Sequence, residues 1–347
     1  METLWFYIVA VMIAMYVILD GFDLGAGILH LYVARNDNER RTVLQSIGPV
    51  WDGNEVWLLA GGGALVLAFP KLYASGFSGF YLPLMMVLWL LIFRAISIEF
   101  RSHLESAIWR PFWDVAFAGS SLLLAVFLGA ALGNVVRGVP LGEDGFFFTP
   151  LWTSFHIAGD ELGILDWYTV SVGVTSLLAL TYHGATWVIL KTDDAVRDRA
   201  RKAAGIAWPL LLVFLVLVTI MTFRIQPHVP ARMASNPLSY AIPAVALGSL
   251  IASRYLTAKG GELGAFLTSA LFLAAILVSV VFSLYPMVLP SSGDPSLALT
   301  VHNAAGPPYA LRVALGWWIP GMILVAVYTT YAYRQLAGKV VVDEDAY

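Results

Sequence analysis

The chain has no cysteine. That absence excludes a disulfide scaffold, a thiolate zinc site, an iron–sulfur cluster and a cysteine nucleophile. Charge is scarce as well. Asp, Glu, Lys and Arg make up only 12% of the 347 residues, where a soluble domain carries roughly 25%. The net charge of −3 is too small for bulk electrostatics to name a partner, and a nucleic-acid binder is excluded. Phosphate-binding and dinucleotide-binding glycine loops, metalloprotease motifs and serine-hydrolase motifs are all missing. So are low-complexity tracts and fixed-period repeats. Alone, the chain does not read as a catalyst.

Apolar residues are what the chain does have, 59% of it, with a mean hydropathy of +0.77. A soluble fold of this length cannot hide so much apolar surface, so lipid is the solvent for most of it. A membrane-spanning helix needs about 20 predominantly apolar residues. Nine stretches qualify, at about 5–32, 52–69, 73–98, 113–136, 163–190, 204–223, 238–258, 262–288 and 311–335. They are too long and too uniform for barrel strands, which alternate and run to about ten residues. The expectation is an all-α integral membrane protein with nine spans in a single polytopic domain, 1–347, without a soluble module. The start, Met1-Glu2-Thr3, lacks a basic leader and the apolar run after it is long, so it reads as a retained first span.

Basic residues set the orientation. Fifteen of the 20 lysines and arginines fall on one side, at Arg35, Arg40, Arg41, Arg94, Arg101, Arg110, Lys191, Arg197, Arg199, Arg201, Lys202, Arg254, Lys259, Arg334 and Lys339. Lys71, Arg137, Arg224, Arg232 and Arg312 fall on the other. This bias places the N-terminus outside and the C-terminus in the cytoplasm.

Ionisable groups within lipid are costly, so each is a functional candidate. Asp20 and Asp23 lie three apart in the cytoplasmic half of the first span and share a helix face. Two carboxylates there can relay protons or hold a cation. The plainer alternative is a packing seam in which neighbouring donors satisfy them. Gly21 and Gly25 form a GxxxG pair, with Gly27 beyond, and permit close approach of another helix. In Trp51-Asp52-Gly53-Asn54-Glu55-Val56-Trp57 the acids Asp52 and Glu55 have the spacing of a capping box opening the second span. They also stand between Trp51 and Trp57, where a desolvated carboxylate can carry protons. Asp114, in Trp109-Arg110-Pro111-Phe112-Trp113-Asp114, opens the fourth span, where the helix dipole favours an acid. Arg94 and Glu99 read as interfacial.

A haem needs axial ligands from helix interiors. His103, His156, His228 and His302 fall in connecting loops, and His30 and His183 fall near cytoplasmic helix ends, with no pair at matched depth.

The motifs together resemble subunit II of cytochrome bd-type quinol oxidases. The likeness is carried by Asp20-Gly21-Phe22-Asp23-Leu24-Gly25, by Arg35-Asn36-Asp37 with Glu39-Arg40-Arg41, and by the 51–57 motif. Phe77-Ser78-Gly79-Phe80-Tyr81, Trp113-Asp114, Gly133-Asn134, Ser235-Asn236-Pro237-Leu238 and Pro286-Met287-Val288-Leu289-Pro290 extend it. The resemblance is dense over 1–140 and looser beyond. It implies two four-helix bundles plus a peripheral helix, paired with a similarly folded subunit I. That partner would carry two b-type haems and one d-type haem, or b in its place, while this chain holds none. The complex would oxidise quinol and reduce dioxygen to water in the bacterial plasma membrane, with small single-helix subunits and a structural quinone as further possible components. The resemblance also implies roles for residues. Asp52 would lie in a proton path towards the partner's haems, with Asp23 and Asp114 linked to it, and Trp51 near a bound quinone or lipid. Val50 stands where a histidine is common, and Glu55 where some members have glutamine. Either Asp52 or Glu55 can then be the working acid. No role passes to Asp160, Glu161 or Asp166. Two other readings stand beside this one: an ion-coupled secondary transporter, since such proteins also hold ions with midplane acids beside glycines, and a purely structural partner whose acids only cap helices.

Overall fold

The computed structural model describes residues 1–153, 162–235 and 237–341. His156, Asp160, Glu161 and Asn236 lie outside the described residues. Apolar runs too long to end in water become helices because a backbone in lipid must satisfy its own polar groups. The helices are α1 (Glu2–Val33), α2 (Asp37–Ile47), α3 (Trp51–Ala68), α4 (Pro70–Gly79), α5 (Tyr81–Phe100) and α6 (Trp109–Arg137). Then follow α7 (Trp167–Lys191), α8 (Asp194–Ile225), α9 (His228–Ser235), α10 (Ala241–Lys259), α11 (Glu262–Leu284) and α12 (Pro308–Gln335). One short antiparallel pair, β1 (Met287–Leu289) and β2 (Leu299–Thr300), precedes α12.

Among the described residues, eight helices are long and apolar enough to cross a membrane: α1, α5, α6, α7, α8, α10, α11 and α12. The expected second span is the one that falls short. Its helix, α3, has 18 residues, and Asp52, Asn54 and Glu55 crowd its start. The expected third span is two helices, not one. Gly76 and Gly79 end α4, the N–H of Phe80 closes on the Gly76 carbonyl, and α5 restarts with Pro83 in its first turn, where a missing N–H costs nothing. The helix α2 was not foreseen. Its start is capped by Asn36, whose side chain accepts from Glu39 N at 3.0 Å, while Glu39 Oε2 accepts from Arg35 N at 2.6 Å.

Two groups of helices result. In one, α1 packs on α3 and α6, and α5 on α6; in the other, α7 packs on α8 and α11, and α10 on α11. The faces of α1 and α6 against α7 join the groups. Outside both lies α12, which packs mainly on α1 and α3 and leaves Trp317, Leu324, Val327 and Tyr328 exposed. This is the two-bundle-plus-peripheral-helix arrangement. At the end opposite Asp23, the connections after α6 and α11 meet. The Val139 N–H reaches the Pro290 carbonyl at 3.1 Å, and Gly138 at φ +91° leaves room that a side chain would take from that carbonyl.

The glycines of α1 set its spacing from its neighbours. A Cβ on Gly25 would lie 2.1 Å from the Leu180 carbonyl oxygen and 2.7 Å from the Gly184 Cα of α7. Gly21 faces Leu180 on the same helix, and Gly27 faces Ser121 of α6. The close contact is therefore internal to this chain.

Candidate functional site

Crossing of α1, α3 and α5 brings polar groups from three distant stretches of sequence into one apolar interior. Asp20 and Arg94 are both 0% exposed. Arg94 Nη1 donates to Asp20 Oδ2 at 2.7 Å, and Nη2 donates to Oδ1, a two-pronged clamp. Arg94 is thus no interfacial residue. In a low-dielectric interior neither charge is tolerable without the other, and the pair spans 74 positions of sequence. Glu99, by contrast, is exposed at the end of α5.

Asp23 is also 0% exposed but has a different partner. Its Oδ2 accepts from Asn54 Nδ2 at 2.8 Å, and its Oδ1 has no hydrogen-bond partner. Asn54 Nδ2 also donates to the Leu19 carbonyl at 3.3 Å, and Asn54 Oδ1 accepts from the Tyr333 hydroxyl at 2.9 Å. Glu55 is half-buried, with Oε2 at 3.7 Å from Arg94 Nη2. Asp52 is exposed. The pair Asp52 and Glu55 is not a capping box, because α3 begins at Trp51 with Val50 as its cap and no side-chain cap bond. The two acids of that motif thus face different surroundings. Trp51 and Trp57, each 8% exposed, sit in two different apolar cores.

Asp114 occupies a second cluster. It is 1% exposed, with Oδ1 at 2.7 Å from His30 Nε2 and 2.6 Å from Arg101 Nε, and Oδ2 at 2.8 Å from Arg40 Nη1. Arg101 Nη2 continues to Asp37 at 2.8 Å, which Arg41 and Arg110 also approach. These contacts tie α1, α2, α6 and the turn after α5 together, so a helix-dipole role alone does not describe Asp114. Neither Arg101 nor His30 stood out in the sequence as its partner. Burial opposes ionisation of Asp37, but hydrogen bonds from Arg101 and Arg41 and the nearby Arg110 outweigh it and hold the carboxyl below its usual range. Glu39 is likewise depressed: burial works against it, and Arg199 with the Arg35 N–H outweighs burial.

The described histidines have partners in the chain. His183 has Nδ1 at 2.7 Å from Ser269 Oγ and Nε2 at 3.0 Å from the Ile18 carbonyl, so both ring nitrogens are engaged. His30 is held by Asp114, with its ring edge on Phe117. His302 pairs with Glu2, and His228 faces the Ser283 carbonyl. Among the described residues no three His, Asp or Glu side chains gather to hold a metal ion.

Residues 1–336 match the family described as cytochrome bd terminal oxidase subunit II. The chain is 30% identical to the cytochrome bd-I ubiquinol oxidase subunit 2 of Escherichia coli K12, covering 98% of this chain and 95% of that one. It is 31% identical to the cytochrome bd ubiquinol oxidase subunit 2 of Bacillus subtilis, over 96% of each. A probable cytochrome oxidase subunit 2 of Haemophilus influenzae is 30% identical, over 97% of this chain and 94% of that one. The fold matches a chain of the bd oxidase structure from Geobacillus thermodenitrificans with a TM-score of 0.77 at 18% identity, over 97% and 98% of the two chains.

Proposed function

Because the chain belongs to the cytochrome bd terminal oxidase subunit II family, we propose that it gives cytoplasmic protons a way towards haems carried by subunit I, and that it braces that subunit. It is a subunit of a bd-type quinol oxidase, a multi-pass protein of the bacterial plasma membrane. The complex includes a subunit I and haem. A secondary transporter finds no support among the relatives. Our reading assigns the haems b and d, or b in place of d, to the partner, where they pass electrons from quinol to dioxygen and water forms. It treats 1–347 as one membrane domain with α3 as a ninth span, the N-terminus outside and the C-terminus in the cytoplasm. Small single-helix subunits and quinol belong to the complex as a whole. A quinone or lipid reaching this chain would meet the exposed edges of Trp51 and Trp57.

The carrying observation is Asp23, a fully buried carboxyl with no cation against it and one oxygen unpartnered. A carboxyl held only by a neutral amide can exist in both protonation states, as a proton carrier must. Asp52, exposed, forms the mouth, and Glu55 stands between it and the interior. Asp20 and Asp114, each gripped by arginine, are fixed charges that hold the helices in place. Asp23→Asn in the intact complex tests this. Quinol-driven oxygen consumption should fall by about 10-fold or more, the scale of a lost proton-transfer group, with haem content unchanged. Wild-type turnover would end the reading. Asp52→Asn should slow turnover less, since water can replace an exposed acid.

A further inference from the structure

We propose that Tyr333 of the peripheral helix is a positioning residue for Asp23, acting through Asn54. The inference rests on the proton-path reading above and adds a component from the far end of the chain. Along most of its length α12 turns large side chains outward, and Tyr328 and Tyr331 are 64% and 63% exposed. Tyr333 turns inward instead. Its ring meets the edge of Trp187 at 6.4 Å, and its hydroxyl donates to Asn54 Oδ1 at 2.9 Å.

This contact fixes the sense of the Asn54 amide. Its oxygen must face the hydroxyl, so its NH₂ faces the Leu19 carbonyl at 3.3 Å and Asp23 Oδ2 at 2.8 Å. One carboxyl oxygen of Asp23 is then anchored by a neutral donor, and the other is left buried and unpartnered. The charged side chains that act on Asp23 are Asp20, Arg94 and Glu55. Arg94 is committed to Asp20 through both terminal nitrogens, so Asn54 is the donor that sets the Asp23 rotamer.

A second observation shows that the tyrosine is held there. Just past it, Lys339 Nζ donates to the Ile189 and Thr192 carbonyls at 2.9 and 3.0 Å and pairs with Glu262 at 2.6 Å. Lys191 Nζ returns the contact by donating to the Leu336 and Gly338 carbonyls. The end of α12 is strapped to the end of α7, while Trp318 and Met322 in its middle lean on the apolar core around Trp5 of α1. Tyr333 sits at the base of that strap.

The test uses the intact complex and two readouts. One is quinol-driven oxygen consumption; the other is the redox-induced infrared difference spectrum, in which a protonated carboxyl shows its C=O stretch. Asp23→Asn identifies the Asp23 band. Tyr333→Phe keeps the ring against Trp187 and removes only the hydroxyl. It should move the Asp23 band and lower turnover by about 5-fold, the effect of one hydrogen bond, with haem content intact. Tyr331→Phe, whose ring is exposed, should change neither. If Tyr333→Phe leaves band and turnover at wild type while Asp23→Asn slows turnover, the positioning role is refuted and the proton-path reading stands. If Asp23→Asn removes no band and slows nothing, the proton-path reading itself fails. Should Tyr333→Phe not assemble, Asn54→Ala carries the test: an unmoved Asp23 band refutes the chain of contacts, and a moved band supports it.

Discussion

Between the bundle of α1, α3, α5 and α6 and the bundle of α7, α8, α10 and α11, the buried polar chemistry changes kind. The first holds ionisable groups: the Asp20–Arg94 clamp, Asp23 on its amide, and Asp114 among His30, Arg40 and Arg101. The second holds neutral groups along its interior, and its buried ion pair, Asp166 with Arg137 of α6, stands at the very start of α7. Tyr182 donates to Ser253 at 2.9 Å, Ser253 donates to the Ala265 carbonyl at 2.7 Å, and Tyr168 meets Thr222 at 2.9 Å. His183 is its one buried imidazole among the described residues, tied off at both nitrogens. An apolar cavity of about 270 Å³ among α7, α8, α10 and α11 lies beside these groups, lined by Val172, Val218, Phe272 and Ile276. Both halves face the same demand, that polar groups in lipid find partners, but hydroxyls bonded to carbonyls cost little, whereas a buried charge is retained only with a partner or a task. The comparison teaches that the buried acids and their arginines gather in the first half, while the interior of the second is packed with hydroxyls and apolar side chains.

The largest break in that comparison comes where the halves touch. Gly25→Leu drives a side chain into the α7 backbone, so no folded chain and no complex should accumulate in membranes, as an immunoblot would show. Next is the clamp. Arg94→Leu leaves Asp20 buried without its counter-charge and should cost about 3–5 kcal/mol, read as a fall in the thermal unfolding temperature of the complex in detergent. Adding Asp20→Leu should recover most of the loss, because the unpaired charge goes with it. In the second bundle Ser253→Ala removes a neutral donor and should cost about 1 kcal/mol, with oxygen consumption unaltered. A loss as large as that of Arg94→Leu would show that the halves do not differ in kind. The smallest effect concerns Asp37 and Glu39, on α2 outside the candidate spans. Both carboxyls are depressed in the folded chain. The stability they add is complete above the ordinary carboxylate range near pH 4 and is lost as pH falls below it through the folded values. Asp37→Asn with Glu39→Gln should flatten that acid limb slightly in a thermal unfolding series.

Hydropathy alone separated the apolar stretches that became helices, since a run of about 20 apolar residues has no other stable form in lipid. It missed the break between α4 and α5, where Gly79 and Pro83 outweighed the apolar pattern, and it missed α2, whose cap at Asn36 is a local signal that hydropathy does not weigh. The acids were legible as a set, because any carboxylate in such a sequence stands out. Their division was not. Asp20 and Asp23 are neighbours of the same type on one helix face, and nothing within reach along the chain tells them apart. The difference lies in partners 74 and 31 positions away, and in a tyrosine 279 positions beyond Asn54. The sequence by itself determined that this protein lives in lipid as helices and which groups lipid would have to tolerate, because burial in a membrane is decided by each stretch's own composition. Only the tertiary structure decided which carboxylate is locked by an arginine and which keeps an unpartnered oxygen, because a buried acid is governed by what stands within about 3 Å of it, and that depends on how the helices cross.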